Sequence, residues 1–315
     1  MYFIHDIDKQ IFDIIPIRYY SLMFLIGFTL GYQILKKLLK EDHNKFYKEI
    51  PESFLQYAVI GTIVGARLGH VFFYDWSYYS KNLDEILYVW KGGLASHGGV
   101  IGVFLSTLLF FYKYKKIYNL NFFSFIDKLI IVSLLIASLI RIGNFINSEI
   151  IGKQSTGYGI LYVNNFTEIV NKNGATVSYA LYDKDKEVSI KAVISNPNID
   201  LSFYRDENIY DIKKYKEFYI LKIKPRFPAQ LAESAFYFIL FLFSSIFYKK
   251  IKRFDGLNFA LYLSLIFIFR FLIEFLKENQ VDSENEYILN FGQLLSVPII
   301  LFCILIIFFR KKTWK

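Results

Sequence analysis

The sequence predicts an all-α integral membrane protein, a bundle of seven transmembrane helices with a small β-rich extracytoplasmic head. Hydrophobic residues make up 54% of the 315 residues, and the mean hydropathy is +0.32. This composition is too apolar for an ordinary soluble domain. Seven apolar stretches are long enough to cross a hydrocarbon core of about 30 Å. One long polar segment between them has the alternation of β-strands.

The seven predicted spans divide the chain into three parts. Residues 1–148 contain spans 1 to 4, residues 149–227 form the predicted head, and residues 228–315 contain spans 5 to 7. The spans cover residues 17–37, 54–75, 93–112, 122–147, 228–248, 256–276 and 290–309. In the head, strands are expected in GILYVNN, ATVSYALYD, KEVSIKAVI and EFYILKIK, which Asn, Gly, Asp and Pro separate.

The distribution of lysine and arginine predicts the orientation in the membrane. One set of span ends carries sixteen Lys and Arg residues, in KKLLK with Lys45 and Lys48, KYKK, KKIKR and RKKTWK. The opposite set carries four lysines, which are Lys9, Lys81, Lys91 and Lys277. Because positive charge stays on the cytoplasmic side, the N-terminus is expected outside and the C-terminus inside. The net charge of +9 is then a topology signal, and no nucleic-acid partner is expected.

Metal and disulfide chemistry are not expected either. The single cysteine, Cys303, lies inside the last predicted span, so the sequence offers no disulfide framework or thiolate metal site. The four histidines are scattered at positions 5, 43, 70 and 97, without the HExxH spacing of a zinc-binding helix.

A set of polar residues in or next to the predicted spans falls in the outer half of the membrane, and the cytoplasmic halves have no comparable set. The set consists of Tyr20, Arg67, His70, His97, Arg141, Asn144, Glu149, Gln230, Glu233, Arg270, Glu274 and Gln293. A charge at the bilayer centre costs about 2.5–3.5 kcal/mol. An alternative explanation for any single pair is an ion pair that stabilises the helix bundle. Arg270 and Glu274, at i, i+4 on one helix face, are an example. A set at one depth from all seven spans favours a shared polar site.

Arginines at this depth indicate a phosphate-bearing ligand, because the guanidinium fork matches phosphate and tolerates partial burial. A phospholipid already has its phosphate at the interface. His97 could move a proton, since the ordinary pKa of histidine is about 6.5. Its HGGVIG context, residues 97–102, would expose backbone N–H groups to an anion at a helix start, although the same glycines also fit close helix packing. Together these features predict phospholipid head-group chemistry at the outer leaflet.

RIGNFINSEIIG at residues 141–152 resembles the signature of the prolipoprotein diacylglyceryl transferases, a bacterial membrane enzyme family. Further matches follow in the family's order and cover most of the chain outside the head. They are IRYYSLMFLIGF (17–28), GARLGHVFFY (65–74), GGLASHGGVIG (92–102), PAQLAE (228–233), RFLIEF (270–275) and GQLLSVP (292–298). The resemblance implies transfer of a diacylglyceryl group from phosphatidylglycerol to the lipobox cysteine of a prolipoprotein, in the bacterial cytoplasmic (inner) membrane. It implies no metal and no cofactor.

The resemblance also implies roles for individual residues. Arg141 would hold the phosphatidylglycerol head group, with Asn144 and Gly152 shaping its surroundings. Arg270 would stabilise the leaving phosphate, and His97 would activate the thiol. The remaining residues expected to bind substrate are Tyr20, Glu149, Arg67 and Glu274.

Four positions depart from the family pattern, the first of them Ser21, which replaces a glycine. Phe227 stands where the family commonly has histidine, Ala232 replaces a usual tyrosine, and Ile266 replaces a functional tyrosine of many members. These departures count against proton transfer by a tyrosine or a second histidine there. A second hypothesis is a seven-span transporter or lipid-handling channel that binds an anion without chemistry. Such a protein should have inverted repeats or paired broken helices, and the sequence contains neither.

Overall fold

The structure, a computed structural model, describes most of the 315 residues. The described residues are 1–11, 18–42, 44–182, 187–196, 201, 204, 206, 208–216, 218–252, 254–278 and 289–310.

The chain is mostly helical. The α-helices are α1 (Tyr19–Glu41), α2 (Glu49–Phe73), α3 (Trp76–Tyr79), α4 (Ser96–Tyr114), α5 (Phe122–Ile146), α6 (Asn164–Lys172), α7 (Ala229–Ile251), α8 (Leu257–Ile273) and α9 (Phe291–Arg310). Short 3₁₀ segments cover Leu83–Leu87, Val89–Lys91 and Glu274–Leu276. Each predicted span overlaps one of the long helices α1, α2, α4, α5, α7, α8 and α9.

Among the described residues, five helical segments are long and apolar enough to cross a membrane. They are Tyr19–Glu41, Phe122–Ile146, Ala229–Ile251, Leu257–Leu276 and Gly292–Arg310. Helices α2 and α4 are not among them. The chain is therefore a multi-pass membrane protein by the length and composition of its helices.

The strands in the described part of the chain form two small sheets. In one, β1 (Tyr2–His5) pairs in parallel with β2 (Gly159–Tyr162). The other has the order β3-β4-β6-β5, with every neighbour antiparallel, and contains β3 (Val177–Tyr182), β4 (Ser189–Ile194), β5 (Ile209–Lys214) and β6 (Tyr219–Ile223). Helix α6 and the inner face of this sheet share an apolar core with Phe166, Ile190 and Leu221 at its centre. Each of the four predicted strand segments contains an observed strand, whereas β1, β5 and α6 were not predicted.

The chain separates into two compact units. The first contains residues 1–27, 134–245 and 261–308, and the second contains residues 28–133, 246–260 and 309–315. The two sheets and the 141–152 motif belong to the first unit, whereas α2 and α4 belong to the second.

Within the second unit, α2 and α4 pack backbone against backbone. A Cβ on Gly69 would lie 2.7 Å from the Cα of Gly98, and a Cβ on Gly102 would overlap the carbonyl oxygen of Gly61. A Cβ on Gly99, in contrast, would meet only ordinary contacts at 3.6 Å or more. The glycine row of α2 and Gly98 of the HGG sequence therefore serve close helix packing.

Candidate functional site

Arg141 lies near the end of α5 and is almost buried, with 13% of its side chain exposed. Its Nε lies 3.2 Å from the carboxylate of Glu233 on α7, and its Nη1 donates to Asn144 Oδ1 at 3.3 Å. Arg141 and Asn144 are three residues apart on one helix, which places both side chains on the same face. A carboxylate and an amide thus orient the guanidinium from two sides.

Two asparagines at the end of α5 hold the carboxylate of Glu149 in place. The side-chain amides of Asn144 and Asn147 each donate to one carboxylate oxygen of Glu149, both at 3.0 Å. Ser148 and Ile150 adopt positive φ angles of 56° and 57°, which turns the chain sharply here. The carbonyl oxygen of Glu149 accepts from Gln230 Nε2 at 2.7 Å. The two asparagines and the glutamate of the motif therefore build a rigid turn that ends α5.

Gly152 allows another strand of chain to approach this turn. A Cβ at this position would overlap the backbone of Phe227. The flanking residues pair with the segment that follows α8: Lys153 N–H donates to Leu276 O at 2.8 Å, and Glu278 N–H donates to Ile151 O at 3.2 Å. The absent side chain of Gly152 is thus a packing requirement, since the backbone of Phe227 occupies that space.

A buried lysine joins the two carboxylates of the site. Lys277 has 1% of its side chain exposed, and its Nζ lies 3.1 Å from Glu233 Oε2 and 3.0 Å from Glu274 Oε1. Neither carboxylate is more than 7% exposed. Glu233 Oε2 meets Arg141 and Lys277 at ion-pair distance but has no well-aligned hydrogen bond. The sequence pattern suggested an outer loop cation at position 277, and the structure instead buries it among acids.

Arg270 is the most open cation of the group. One third of its side chain is exposed, and within the described residues its one ion pair is a loose contact of 3.8 Å from Nε to Glu274 Oε1. Glu274 is itself held by Lys277 and by Asn290 Nδ2 at 3.3 Å. The guanidinium of Arg270 therefore keeps most of its donors for a ligand.

Two tyrosines border the cations. Tyr20 packs against Gly143, whose Cβ would lie 2.9 Å from the tyrosine ring, and its phenol interacts with Asn144. Tyr237 is buried on α7 and donates to Glu233 Oε1 at 3.3 Å. Tyr237 was not expected from the sequence, because nothing in the pattern distinguishes it from the many aromatic residues of the spans.

In the second unit, His97 lies in the first turn of α4 and contacts a tyrosine. Its Nε2 lies 3.0 Å from the hydroxyl of Tyr74, and the two rings stack with centroids 5.7 Å apart. His70 stacks on the same tyrosine at 5.9 Å. The hydroxyl of Tyr74 can fix the ring orientation of His97, and a hydrogen bond of this kind selects the imidazole tautomer.

The guanidinium of Arg67, also in the second unit, donates hydrogen bonds to backbone carbonyl oxygens. It donates to the carbonyl oxygens of Glu85 (2.6 Å), Ile86 (2.9 Å), Gly92 (2.6 Å) and Gly93 (3.3 Å), and only 3% of the residue is exposed. The guanidinium also lies over the ring of Tyr79. These contacts show that Arg67 holds the 85–93 loop in place. Substrate binding by Arg67 stays a prediction.

The structure thus groups most of the expected residues in one unit. Tyr20, Arg141, Asn144, Glu149, Gly152, Arg270 and Glu274 belong to the first unit, and Arg67 and His97 belong to the second. One cavity for all of them remains a prediction. Within the described residues, no three His, Cys, Asp or Glu side chains come together in a way that could hold a metal ion.

Comparison with known proteins identifies the family. The family profile described as prolipoprotein diacylglyceryl transferase matches residues 9–309. The phosphatidylglycerol–prolipoprotein diacylglyceryl transferase of Bacteroides fragilis is 33% identical over 98% of this chain and 96% of its own length. The proteins of the same name from Tolumonas auensis and Chloroherpeton thalassium are 32% and 31% identical, over 95% and 99% of this chain and 93% and 95% of their own lengths. The chain belongs to the prolipoprotein diacylglyceryl transferase family.

Proposed function

We propose that the chain transfers the diacylglyceryl group of phosphatidylglycerol to the lipobox cysteine of prolipoproteins, an early step of lipoprotein maturation. Membership of the family over nearly the whole chain carries this proposal. Its partners are then membrane phosphatidylglycerol and the signal peptide of a prolipoprotein. The thiol sulfur forms a thioether with the terminal glyceryl carbon, the bond from that carbon to the phosphate oxygen breaks, and glycerol phosphate leaves.

The arginine cluster of the first unit supports phosphate recognition. Arg141 is held at Nε and Nη1 by fixed partners, which pre-orients the rest of its fork. Arg270 is partly open and only loosely paired. The departing glycerol phosphate gains negative charge in the transition state, and oriented guanidinium groups stabilise developing charge. We assign Arg141 to the phosphate of the bound lipid and Arg270 to the leaving phosphate.

The other residues of the first unit act on these arginines or on the lipid beside them. Asn144 and Glu149 hold the turn that ends α5, and Glu274 restrains Arg270. Gly152 lets the backbone of Phe227 pack on that turn. Tyr20 interacts with Asn144, so its phenol would line the head-group surroundings.

His97 is the proposed proton acceptor. A free thiol has a pKa of about 8.5, so only a few per cent of the substrate cysteine is thiolate at neutral pH. A neutral imidazole can take the thiol proton as the sulfur attacks carbon. The contact with Tyr74 would hold the ring in place for this step.

The proposed architecture has seven spans in the bacterial cytoplasmic membrane, with α2 and α4 as spans alongside the five most apolar helical segments. Both helices have the length of a span, with 25 and 19 residues. Their close glycine packing hides backbone that lipid would otherwise contact. The N-terminus and a head of residues 149–227 would lie outside, flanked by parts 1–148 and 228–315, and the C-terminus would lie in the cytoplasm, as the lysine and arginine distribution favours.

A transfer assay tests the proposed function. Purified protein is mixed with phosphatidylglycerol labelled in its acyl chains and a peptide that contains a lipobox cysteine. We expect label to move to the peptide and glycerol phosphate to appear in equal amount. A peptide with serine in place of the cysteine is the control and should stay unlabelled. Binding of phosphatidylglycerol without any transfer would instead support the transport hypothesis.

A further inference from the structure

We infer that Lys277 is a positioning residue for the proposed transfer, in which its ammonium holds the two carboxylates that orient Arg141 and Arg270. The inference rests on the proposed function and concerns how the first unit binds the lipid phosphate. Lys277 acts through Glu233 and Glu274, and no contact of its own with the substrate is needed.

The burial of Lys277 is the first observation. A lysine that is 1% exposed must have its charge compensated, because an unpaired buried ammonium costs several kcal/mol. Its Nζ has that compensation from two carboxylates on different elements, Glu233 on α7 and Glu274 after α8. Each carboxylate also contacts one arginine, so the ion pairs run without a break from Arg141 to Arg270. Within the described residues, Lys277 links the two halves of this series through ion pairs with both carboxylates.

The backbone of Lys277 is fixed as well. Lys277 lies opposite Gly152 in an antiparallel bridge, and hydrogen bonds join residues 276 and 278 to residues 153 and 151. The same stretch, residues 151–153, follows the turn that holds Glu149. The position of the ammonium is therefore tied to the motif that contains Arg141.

The charges of this series explain why a lysine suits the position. Arg141, Arg270 and Lys277 carry three positive charges, and Glu233 and Glu274 carry two negative ones, which leaves a net charge of +1. Glu149 stands outside the series, since its carboxylate accepts from two amides. The phosphodiester of phosphatidylglycerol has a charge of −1 and would balance the series. Without Lys277, each arginine would face a carboxylate of its own, and that carboxylate would compete with the phosphate.

The test is the KM for phosphatidylglycerol in mixed micelles, measured for the parent and four variants. Lys277→Met and Lys277→Gln remove the charge, and Lys277→Arg keeps it. Lys153→Met is the matched control, because Lys153 lies on the paired strand with an exposed side chain. We expect the KM to rise at least about 10-fold in both neutral variants and to stay within about 3-fold of the parent in Lys277→Arg and Lys153→Met. Thermal unfolding of each variant in detergent reports whether it is folded.

Each outcome decides a different statement. Transfer by a folded neutral variant with the parent KM would overturn the role of Lys277 and leave the proposed function intact. If neither neutral variant folds, the lysine is structural only, and the inference is likewise overturned. No transfer by the parent protein would instead contradict the proposed function itself.

Discussion

The three arginines singled out by the sequence differ in what occupies their donors. Arg67 donates to four backbone carbonyl groups, Arg141 is held by a carboxylate and an amide, and Arg270 has one loose ion pair within the described residues. A guanidinium that is already saturated gains little from a new ligand, whereas one with open donors gains a charge-assisted hydrogen bond. This difference ranks Arg270 and Arg141 above Arg67 as phosphate ligands.

The substitution Arg141→Lys should keep the positive charge and lose most of the activity. One ammonium cannot contact Glu233, Asn144 and a phosphate together in the geometry of the planar fork. Hydrogen bonds to charged groups contribute about 1.5–3 kcal/mol, so kcat/KM for transfer should fall about 10- to 100-fold. Arg18→Lys, at an exposed arginine of the first unit, is the control and should transfer like the parent. Parent-like activity of Arg141→Lys would reduce Arg141 to a structural residue.

His97→Gln should abolish most of the transfer at pH 7 while phosphatidylglycerol still binds. General-base catalysis contributes about 10²- to 10⁴-fold, and that is the expected loss in kcat. Raising the pH toward 9 should restore part of the rate, because the substrate thiol then ionises without help. His70→Gln, which changes the other histidine stacked on Tyr74, should cost less. A pH–rate profile of His97→Gln parallel to that of the parent would move the base to another residue.

At the scale of elements, the contact of α2 with α4 depends on which glycine is changed. Gly102→Ala places a methyl group on the backbone of Gly61, and overpacking of this kind costs about 1–3 kcal/mol. Gly99→Ala, on the same helix, adds a methyl group with ordinary contacts only. We expect a lower unfolding temperature in detergent for Gly102→Ala and a temperature near that of the parent for Gly99→Ala. Equal unfolding temperatures would mean that the two helices are not packed this closely.

The pairing of β1 with β2 should weaken as the pH falls. Burial lowers the pKa of His5 from its ordinary value of 6.5, although a hydrogen bond from Nε2 to Phe145 O at 2.8 Å opposes this. The unfolded strand therefore takes up a proton that the folded strand excludes. The contribution of neutral His5 to the stability of the pairing is full above about pH 6.5, and it is lost as the pH falls through the pKa of His5 in the folded state. Burial raises the pKa of neighbouring Asp6, whose protonation in the folded state acts in the opposite direction at more acidic pH.

Amide hydrogen exchange measures this effect, because the Val163 amide donates to the carbonyl oxygen of His5. Exchange in peptides that cover residues 159–163 should accelerate between pH 7.5 and pH 5.5, after correction for the intrinsic pH dependence. The acceleration should disappear in His5→Gln, which cannot titrate. Exchange that follows the intrinsic rate in both proteins would exclude His5 as the cause.

The elements that the sequence predicted are those with a strong local pattern. All seven apolar stretches are helical, and each end differs from the prediction by only a few residues. Strand β1 has only four residues, and its partner β2 is more than 150 residues away, so no local alternation announces it. Strand β5 reads IYDIKK, which has too little alternation for a strand signal, and its bulge between Ile209 and Asp211 breaks the period.

At the scale of the whole molecule, the charge asymmetry makes the orientation testable. With Cys303 replaced by alanine, one cysteine is placed at Lys216, an exposed residue before β6, or at Lys116, an exposed residue after α4. A membrane-impermeant maleimide should label Lys216→Cys in intact cells and Lys116→Cys only after lysis. The reverse pattern would overturn the proposed orientation. Positions 185 and 200 of the predicted head would also be expected to react from outside, but they lie outside the described residues.

The sequence predicts which residues belong to the candidate site, but not which side chains contact one another there. Arg141, Asn144, Glu149 and Gly152 lie together in the sequence, and the structure keeps them together. The place of Lys277 depends on Glu233, which is 44 residues away, and on a bridge to Gly152. A lysine just after a span is usually interpreted as a charge at the membrane surface. The burial of Lys277 between two carboxylates could therefore not be inferred from the pattern. The contacts of Arg67 could not be inferred either, because no sequence motif encodes the backbone carbonyl groups that accept its hydrogen bonds.

The parallel pairing of β1 with β2 has a consequence for the time course of synthesis. Tyr2 pairs with Gly159, so the first strand is made 157 residues before its partner. At about 5–20 residues per second, the N-terminal strand waits roughly 8–30 s for residues that can accept its hydrogen bonds. Four long helices are made in that interval. The first strand to leave the ribosome therefore cannot pair with β2 until about half of the chain has been made, and until then its backbone groups are open to other partners.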